Sequence, residues 1–261
     1  MELVSIVTVV KDAEKTLKTT IGSILSQTYH EIECIFIDGQ SRDLTNEIIE
    51  EYRELLENRD IRVIHIVEPD EGIYDAMNKA IKYVHGEWVL FLNANDWLCD
   101  EYVLENVFTG NGFDGVDCLY GDSINILDGI GFERKAMPME SIFYRVPFIY
   151  QALFLRSNII KKYKFDCDWK LAADYDQILR MYLDNVHFEH IDIKIANFDL
   201  SGVSQRHSFE YALEREKIQK KYNAASKRRF RRYLRTAMVI LIKENKSFYK
   251  TYIRVKNILN H

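Results

Sequence analysis

Val4-Ser-Ile-Val-Thr-Val-Val10 carries apolar residues on both of its alternating faces, so it reads as a strand covered on two sides. The next ninety residues repeat the theme. Leu17, Ile21, Ile24 and Leu25 recur at helical spacing, and Glu33-Cys-Ile-Phe-Ile-Asp38 is a second buried strand. Ile48, Ile49, Tyr52, Leu55 and Leu56 mark the next helix, and Arg62-Val-Ile-His-Ile-Val67 a third strand. Met77, Ala80, Ile81 and Val84 share one face of a third helix ahead of Glu87-Trp-Val-Leu-Phe-Leu92, the fourth strand. This alternation predicts an α/β fold, a Rossmann-like and mostly parallel sheet flanked by helices on both faces.

In such sheets ligands bind beyond the carboxyl ends of the strands. The polar residues stand there: Lys11-Asp12 after the first strand, Asp38-Gly39-Gln40-Ser41 after the second, Glu68-Pro69-Asp70-Glu71-Gly72 after the third and Asn93-Ala94-Asn95-Asp96 after the fourth. Beyond about residue 115 the alternation loosens into an α+β half, with strand-like pieces near 118–126 and 151–155. Tyr175, Ile178, Leu179, Met181 and Tyr182 predict a helix beginning near Asp174, which places that carboxylate in the first turn.

A hydrophobic fraction of 47% and a charged fraction of 29% exclude a disordered or fibrous chain. Cys34, Cys99, Cys118 and Cys167 are widely separated, with no zinc-type spacing, and point to a reducing compartment. Met1-Glu2-Leu3 lacks the positive charge of a signal peptide, so a cytoplasmic location is expected. The longest purely apolar run, Ala237 to Ile242, falls far short of the ~20 residues that cross a bilayer. Charge divides the chain: residues 217–261 hold fourteen Lys/Arg and one acid, or +13, and the formal total of -5 leaves -18 for residues 1–216.

Ser5-Ile-Val-Thr-Val, Ile37-Asp38-Gly39-Gln40-Ser41-Arg-Asp43, Glu68-Pro-Asp70-Glu-Gly72-Ile-Tyr74-Asp75-Ala-Met-Asn78-Lys-Ala80 and Phe91-Leu-Asn93-Ala-Asn95-Asp96 stand in register at the strand ends. In this order and spacing they resemble the family 2 glycosyltransferases of the GT-A fold. Leu171-Ala-Ala-Asp174-Tyr-Asp176-Gln-Ile-Leu-Arg180 extends the likeness, and the Gly-Ile-Tyr-Asp-Ala-Met-Asn variant looks like bacterial enzymes that build surface polysaccharides. The resemblance implies an inverting, metal-dependent hexosyl transfer from a nucleoside diphosphate sugar, usually a UDP-sugar, to a hydroxyl of a lipid-linked or growing glycan. Thr8 and Asp38 would hold the base and ribose, Asp38 accepting the uracil N3 proton; Lys11, Asp70, Asp75, Asn78 and Asn95 match positions near the donor. Asp96 would hold the divalent cation, Mn²⁺ or Mg²⁺, Asp174 would be the general base, and Gln151 matches an acceptor-side position. The division expected is a GT-A catalytic domain over 1–215, with a nucleotide-sugar half over 1–110 and an acceptor half over 111–215, and a basic helical extension over 216–261.

Each of these carboxylates has a plainer use. Asp96 could cap a helix starting near Trp97, Asp38 could open an Asx-type turn before Gly39, Asp75 and Asn78 could start a solvated helix, and Asp174 could be an N-cap. Two departures from the family pattern matter. Asn93-Ala-Asn95-Asp96 keeps one carboxylate where the family usually offers two or more, which predicts weak metal binding, since Asn brings no charge to a hard cation. Ala173 stands where an acidic neighbour of Asp174 is usual, and Asp176, two residues on, should face elsewhere on the helix.

In the tail, Lys227-Arg-Arg-Phe-Arg-Arg-Tyr-Leu-Arg235 precedes Ala-Met-Val-Ile-Leu-Ile242, a pattern that favours peripheral contact with the anionic inner face of the plasma membrane over nucleic acid or a packed helix. Two rival functions are a nucleotide-sugar-binding protein that has lost catalysis and a sugar nucleotidyltransferase. The latter would need a Gly-rich basic phosphate loop where Lys11-Asp-Ala-Glu stands.

Overall fold

The computed structural model describes residues 1–110, 112–200 and 208–224. The first half is the predicted alternation: β1 (Val4–Val10), α1 (Leu17–Leu25), β2 (Ile32–Asp38), α2 (Thr45–Glu57), β3 (Arg62–Val67), α3 (Ile73–Ala80) and β4 (Trp88–Phe91). β1 lies between β2 and β4, all parallel, and β3 flanks β2. A strand with helices on both faces must be apolar at nearly every position, and all seven residues of β1 and of β2 are buried. Val4, Ile6, Val10, Cys34 and Phe36 pack with α1 and α2, while Val7, Val9, Ile35 and Ile37 pack with α3 and elements of the second half.

The second half builds onto β4. β5 (Trp97–Leu98) and α4 (Val103–Phe108) follow it, then the hairpin β6 (Cys118–Leu127) and β7 (Ile130–Arg134), then β8 (Leu153–Arg156), α5 (Ser157–Lys162), α6 (Ala173–Leu183), β9 (Phe188–Asp199) and α7 (Ser208–Lys221). The sheet runs β3-β2-β1-β4-β8-β6-β9-β5, with β7 attached to β6. β8 is antiparallel to β4 and to β6, whereas β6 and β9 are parallel. Long-range pairing of this kind has no local signature, and the strands here are accordingly shorter or irregular, as at the bulge of β6 near Asp122.

The residues after Asp96 form β5, paired with β9 through Trp97 and Asn197, so Asp96 caps no helix near Trp97. Similarly α6 starts at Ala173, its N-cap is Ala172, and no side chain caps it, so Asp174 lies inside the first turn. Asp176 is fully buried and paired with Arg180 at 2.7 Å, facing away as its spacing predicts. α7 runs across position 216 and is bound to the core: Glu214 accepts from the backbone N–H of Lys170, Leu171 and Ala172, and Gln219 donates to the Tyr175 hydroxyl at 2.6 Å. The basic run 227–235 and the apolar run 237–242 lie outside the described residues. Among the described residues no helix is long and apolar enough to cross a membrane, and all four cysteines are free thiols.

Candidate active site

The parallel register draws the carboxyl ends of the central strands level. Val10 is opposite Asp38 and Asp38 opposite Val67, and the backbone pairing continues past the strands through Gly39 N to Val10 O and Glu68 N to Asp38 O. Each loop leaving this edge turns sharply through one residue of positive φ: Asp12 (φ 51°), Gln40 (φ 62°), Gly72 (φ 130°) and Asn95 (φ 85°). The value at Gly72 belongs to a region reserved for glycine. Gly39 serves close approach instead, since a methyl group there would collide with Asp70 Oδ2 and lie 3.4 Å from the Lys11 stem.

Thr8 and Asp38 share the α1/α2 face of the sheet, both buried, with Thr8 Oγ1 and Asp38 Oδ2 lacking a partner among the described residues. Asp38 Oδ1 accepts from Ser41 N at 2.7 Å, so the Asx-type turn exists and still leaves one oxygen for a ligand. A buried polar atom without a partner is costly. The contrast at the other end of the same strands is direct: buried Glu33 accepts from Ser5 Oγ, His85 N and Gly86 N, and is satisfied. The rim above Asp38 is stiffened by reciprocal bonds between the loops after β1 and β2, among them Arg42 N to Asp12 Oδ1 and Ala13 N to Thr45 Oγ1.

Three expected donor residues are engaged within the protein. Asp70 Oδ1 accepts from Gly72 N at 2.9 Å. Asp75 accepts from Glu71 N and pairs with Lys79 at 2.8 Å, and that lysine holds its carboxyl below the usual range. Asn78 clips α3 to the segment before α6: its amide donates to Phe165 O at 2.9 Å and accepts from Phe165 N at 3.0 Å. Asn95, in its left-handed turn, is anchored by its backbone N–H to Thr20 Oγ1 at 3.1 Å.

Asp96 is 5% exposed, with Gln151 Nε2 at 2.9 Å from Oδ2 and Asp199 N at 3.2 Å from Oδ1. Burial, with the Asp199 charge adding to it, pushes the Asp96 carboxyl up to about 8. Asn93 Oδ1, three residues before, is buried and without a partner among the described residues. Among the described residues no three His, Cys, Asp or Glu side chains converge as a metal cage. One carboxylate with neutral amide oxygens fits a hard cation that takes most of its ligands from phosphate oxygens and water; it does not fit an ion held by protein alone.

Asp174, from the second half, meets the start of α3. Its Oδ1 accepts from Tyr74 OH at 3.2 Å and from Tyr175 N at 2.7 Å, and Tyr74 OH also reaches Leu171 O at 2.9 Å. Desolvation raises the Asp174 carboxyl to about 6, against the pull of these bonds and of the Arg215 charge. Asp174 in turn acts on the buried Tyr150 phenol, whose neighbour Gln151 is bonded to Asp96. Gln151 thus ties Asp96 to the segment that carries Tyr150, whose hydroxyl donates to Gln177 Oε1 of α6 at 2.5 Å, while Tyr74 ties α3 to Asp174.

The sequence profile of "Glycosyl transferase family 2" matches residues 5–188. The chain belongs to this family. A PGL/p-HBAD biosynthesis glycosyltransferase of Mycobacterium bovis is 29% identical over 170 residues, and the match spans 64% of this chain and 64% of that relative. EpsH of Bacillus subtilis, described as a putative glycosyltransferase, is 32% identical over 118 residues, covering 45% of this chain and 33% of its own. Among solved structures, a Staphylococcus aureus TarS fragment in complex with UDP-GlcNAc superposes with a TM-score of 0.68 at 18% identity, over 88% of this chain and 69% of that one. The Pyrobaculum calidifontis mannosyltransferase in complex with GDP-Man and Mn²⁺ superposes with a TM-score of 0.64 at 14% identity, over 87% and 65%. At these identities the two structures bear on the fold, and both share the GT-A-like architecture built here.

Tyr74, Asp199 and Arg215, which act on Asp174 and Asp96, are the neighbours that sequence reasoning passed over. Tyr74 stands inside the quoted Gly72-Ile-Tyr-Asp75 motif, so a signal was present. Asp199 reaches Asp96 only through the β5–β9 pairing, and Arg215 reaches Asp174 only because α7 packs on α6, so neither had one.

Proposed function

We propose that this protein is an inverting, metal-assisted glycosyltransferase that moves a sugar from a UDP-sugar to a hydroxyl of a lipid-linked or growing cell-surface glycan. The observation that carries it is the pair of unpaired buried oxygens of Thr8 and Asp38 on neighbouring parallel strands, with a buried Asp96 beyond β4 and a desolvated Asp174 bonded to Tyr74 of α3. The nucleotide-sugar complexes of the S. aureus and P. calidifontis neighbours support the donor class, and the M. bovis relative, named for PGL/p-HBAD biosynthesis, supports a biosynthetic transfer.

Asp38 Oδ2 would accept the uracil N3–H beside Thr8, and the level strand ends would direct the diphosphate toward Asp96. A bound Mg²⁺ or Mn²⁺, held by Asp96 with Asn95 or Asn93, would supply charge stabilisation of the departing diphosphate. Asp174, oriented by Tyr74, would take the proton of the acceptor hydroxyl as its oxygen bonds to the anomeric carbon. The bond from that carbon to the phosphate oxygen breaks on the opposite side, the nucleoside diphosphate leaves with the electron pair, and the configuration inverts. A carboxyl at about 6 is ionised at neutral pH and basic enough to accept a proton in the transition state.

Thermal shift with a panel of nucleotide sugars, with and without Mn²⁺, tests the donor side, because a ligand that binds only the folded state raises its stability. A Mn²⁺-dependent shift with a UDP-sugar is expected. Donor binding with no transfer or hydrolysis, under any acceptor mixture, would instead identify a nucleotide-sugar-binding protein that has lost catalysis.

A further inference from the structure

Arg215 is 9% exposed, and its Nε and Nη2 are buried with no hydrogen-bond partner among the described residues. Its guanidinium lies over the ring of Tyr175 at 4.3 Å and near that of Tyr211 at 5.8 Å. Face contact with aromatic rings steadies a cation but leaves its N–H groups unsatisfied. A buried charge without a counter-charge is costly, and proteins keep one where a ligand supplies the missing partner.

The described surroundings do not supply it. Arg134 and Arg145 lie close enough to act on one another, and burial followed by the charge of Arg145, with that of Arg215 adding to it, pulls the Arg134 guanidinium down to about 10. The opposing charge felt at Arg215 is that of Asp174, which shares its carboxylate with Tyr74 OH and Tyr175 N and lies outside ion-pair distance of Arg215. Arg134, which donates to Val146 O at 3.0 Å, and Arg215 both act on the Tyr211 phenol, and Arg215 acts on Asp174.

We propose that Arg215, with Arg134, binds a phosphate or carboxylate carried by the acceptor, so that the molecule whose hydroxyl meets Asp174 is an anionic glycan or lipid-linked phosphate rather than a neutral sugar. The proposal rests on the reading of Asp174 as the base. A planar guanidinium offers two parallel N–H groups to such an anion, and the free Nε and Nη2 are the pair suited to that contact. An anion held there would bring the acceptor toward Asp174 and would satisfy the two unpaired N–H groups of Arg215.

Inorganic phosphate is the probe. With the full-length protein, titration by thermal shift and calorimetry should show saturable stabilisation that persists when UDP and Mn²⁺ are already saturating. Arg215→Gln should weaken phosphate binding about tenfold or more while leaving the UDP shift unchanged, and it should not lower the melting temperature in phosphate-free buffer, since it removes an unpaired buried charge. Arg215→Lys, which keeps the charge and loses the fork, should retain part of the phosphate response. Competition between phosphate and UDP would assign the anion site to the donor and overturn the proposal; so would a phosphate response that Arg215→Gln leaves intact, or a collapse of folding in that variant that Arg215→Lys restores without restoring phosphate binding. Absence of any UDP binding would instead overturn the glycosyltransferase reading beneath it.

Discussion

The two halves of this chain solve the same problem, placing polar groups in a cleft, by different routes. In the half from β1 to α3, Thr8 and Asp38 lie on neighbouring parallel strands, and the loop after β3 carries Asp70 against Gly39, just past the end of β2. In the half from β6 to α7, Asp174 at the start of α6 feels the charge of Arg215 in α7 only because the fold brings together two helices about forty residues apart in the chain. The first arrangement is fixed by local pattern and the second by packing. The donor side should therefore tolerate changes that repack the second half, and the reaction side should not.

Asp174→Asn is the hardest test of this division. Transfer should fall by roughly 10²–10⁴-fold with the donor-induced thermal shift retained. The stability change has a definite sign. The native carboxyl titrates at about 6, above the ordinary 3.8, so the folded protein binds the proton more tightly than the unfolded chain. Stability from this group is present at low pH and is lost as pH rises from about 3.8 through about 6. The Asn variant escapes that loss, so its melting temperature relative to the parent should rise across this window and stay higher at pH 8. A variant that is inactive and less stable at pH 8 would mark Asp174 as a structural residue. In the parent enzyme, transfer should decline as pH drops below about 6, because the base is then protonated.

Asp38→Asn tests the opposite side. The turn bond to Ser41 N can persist through the amide oxygen, while the free Oδ2 becomes a donor facing a uracil N–H. Donor affinity should drop by roughly ten- to a hundredfold, the equivalent of a lost hydrogen bond to a charged group, with the melting temperature little changed. Calorimetry with UDP measures it, and unchanged affinity would remove Asp38 from the donor site.

Asn78→Ala sharpens the boundary between the halves, because Asn78 lies in a first-half motif but holds the second-half segment at Phe165. Its loss should cost about 1–3 kcal/mol in chemical denaturation, with UDP affinity of the folded protein preserved. A large loss of UDP affinity would return Asn78 to the donor site. Gln151→Ala should give the smallest effect. Asp96 then loses a donor and its carboxyl rises further above about 8, so Mn²⁺-dependent donor binding at neutral pH should weaken by roughly three- to tenfold and recover as pH is raised.

The plainer uses open to each carboxylate illustrate where sequence reasoning holds. For Asp38 both uses occur together, one oxygen in the turn and one without a partner. For Asp96 the helix expected near Trp97 is β5, because Trp97 and Leu98 pair with β9, a strand about a hundred residues away that no local window contains. For Asp174 the spacing of Tyr175, Ile178, Leu179 and Tyr182 located the helix to within a residue but left the N-cap open, and the structure, with Ala172 at that position, makes Asp174 a first-turn carboxylate. Asp75 and Asn78 share the helix that their periodicity predicts, yet the partners that hold them, Lys79 and Phe165, show how a correctly placed element leaves the use of its side chains open.

By itself the sequence determined the parallel core and the edge on which polar groups gather, because a strand buried on both faces must be apolar almost throughout and must shed its polar residues at its end. The tertiary structure alone decided which of those groups are satisfied and which are left waiting. Whether Asp96 is neutral, whether Asp174 is basic and whether Arg215 has a counter-charge depend on burial and on neighbours far away in the chain. Desolvation and charge are properties of a surrounding volume, and a linear order of residues does not contain one.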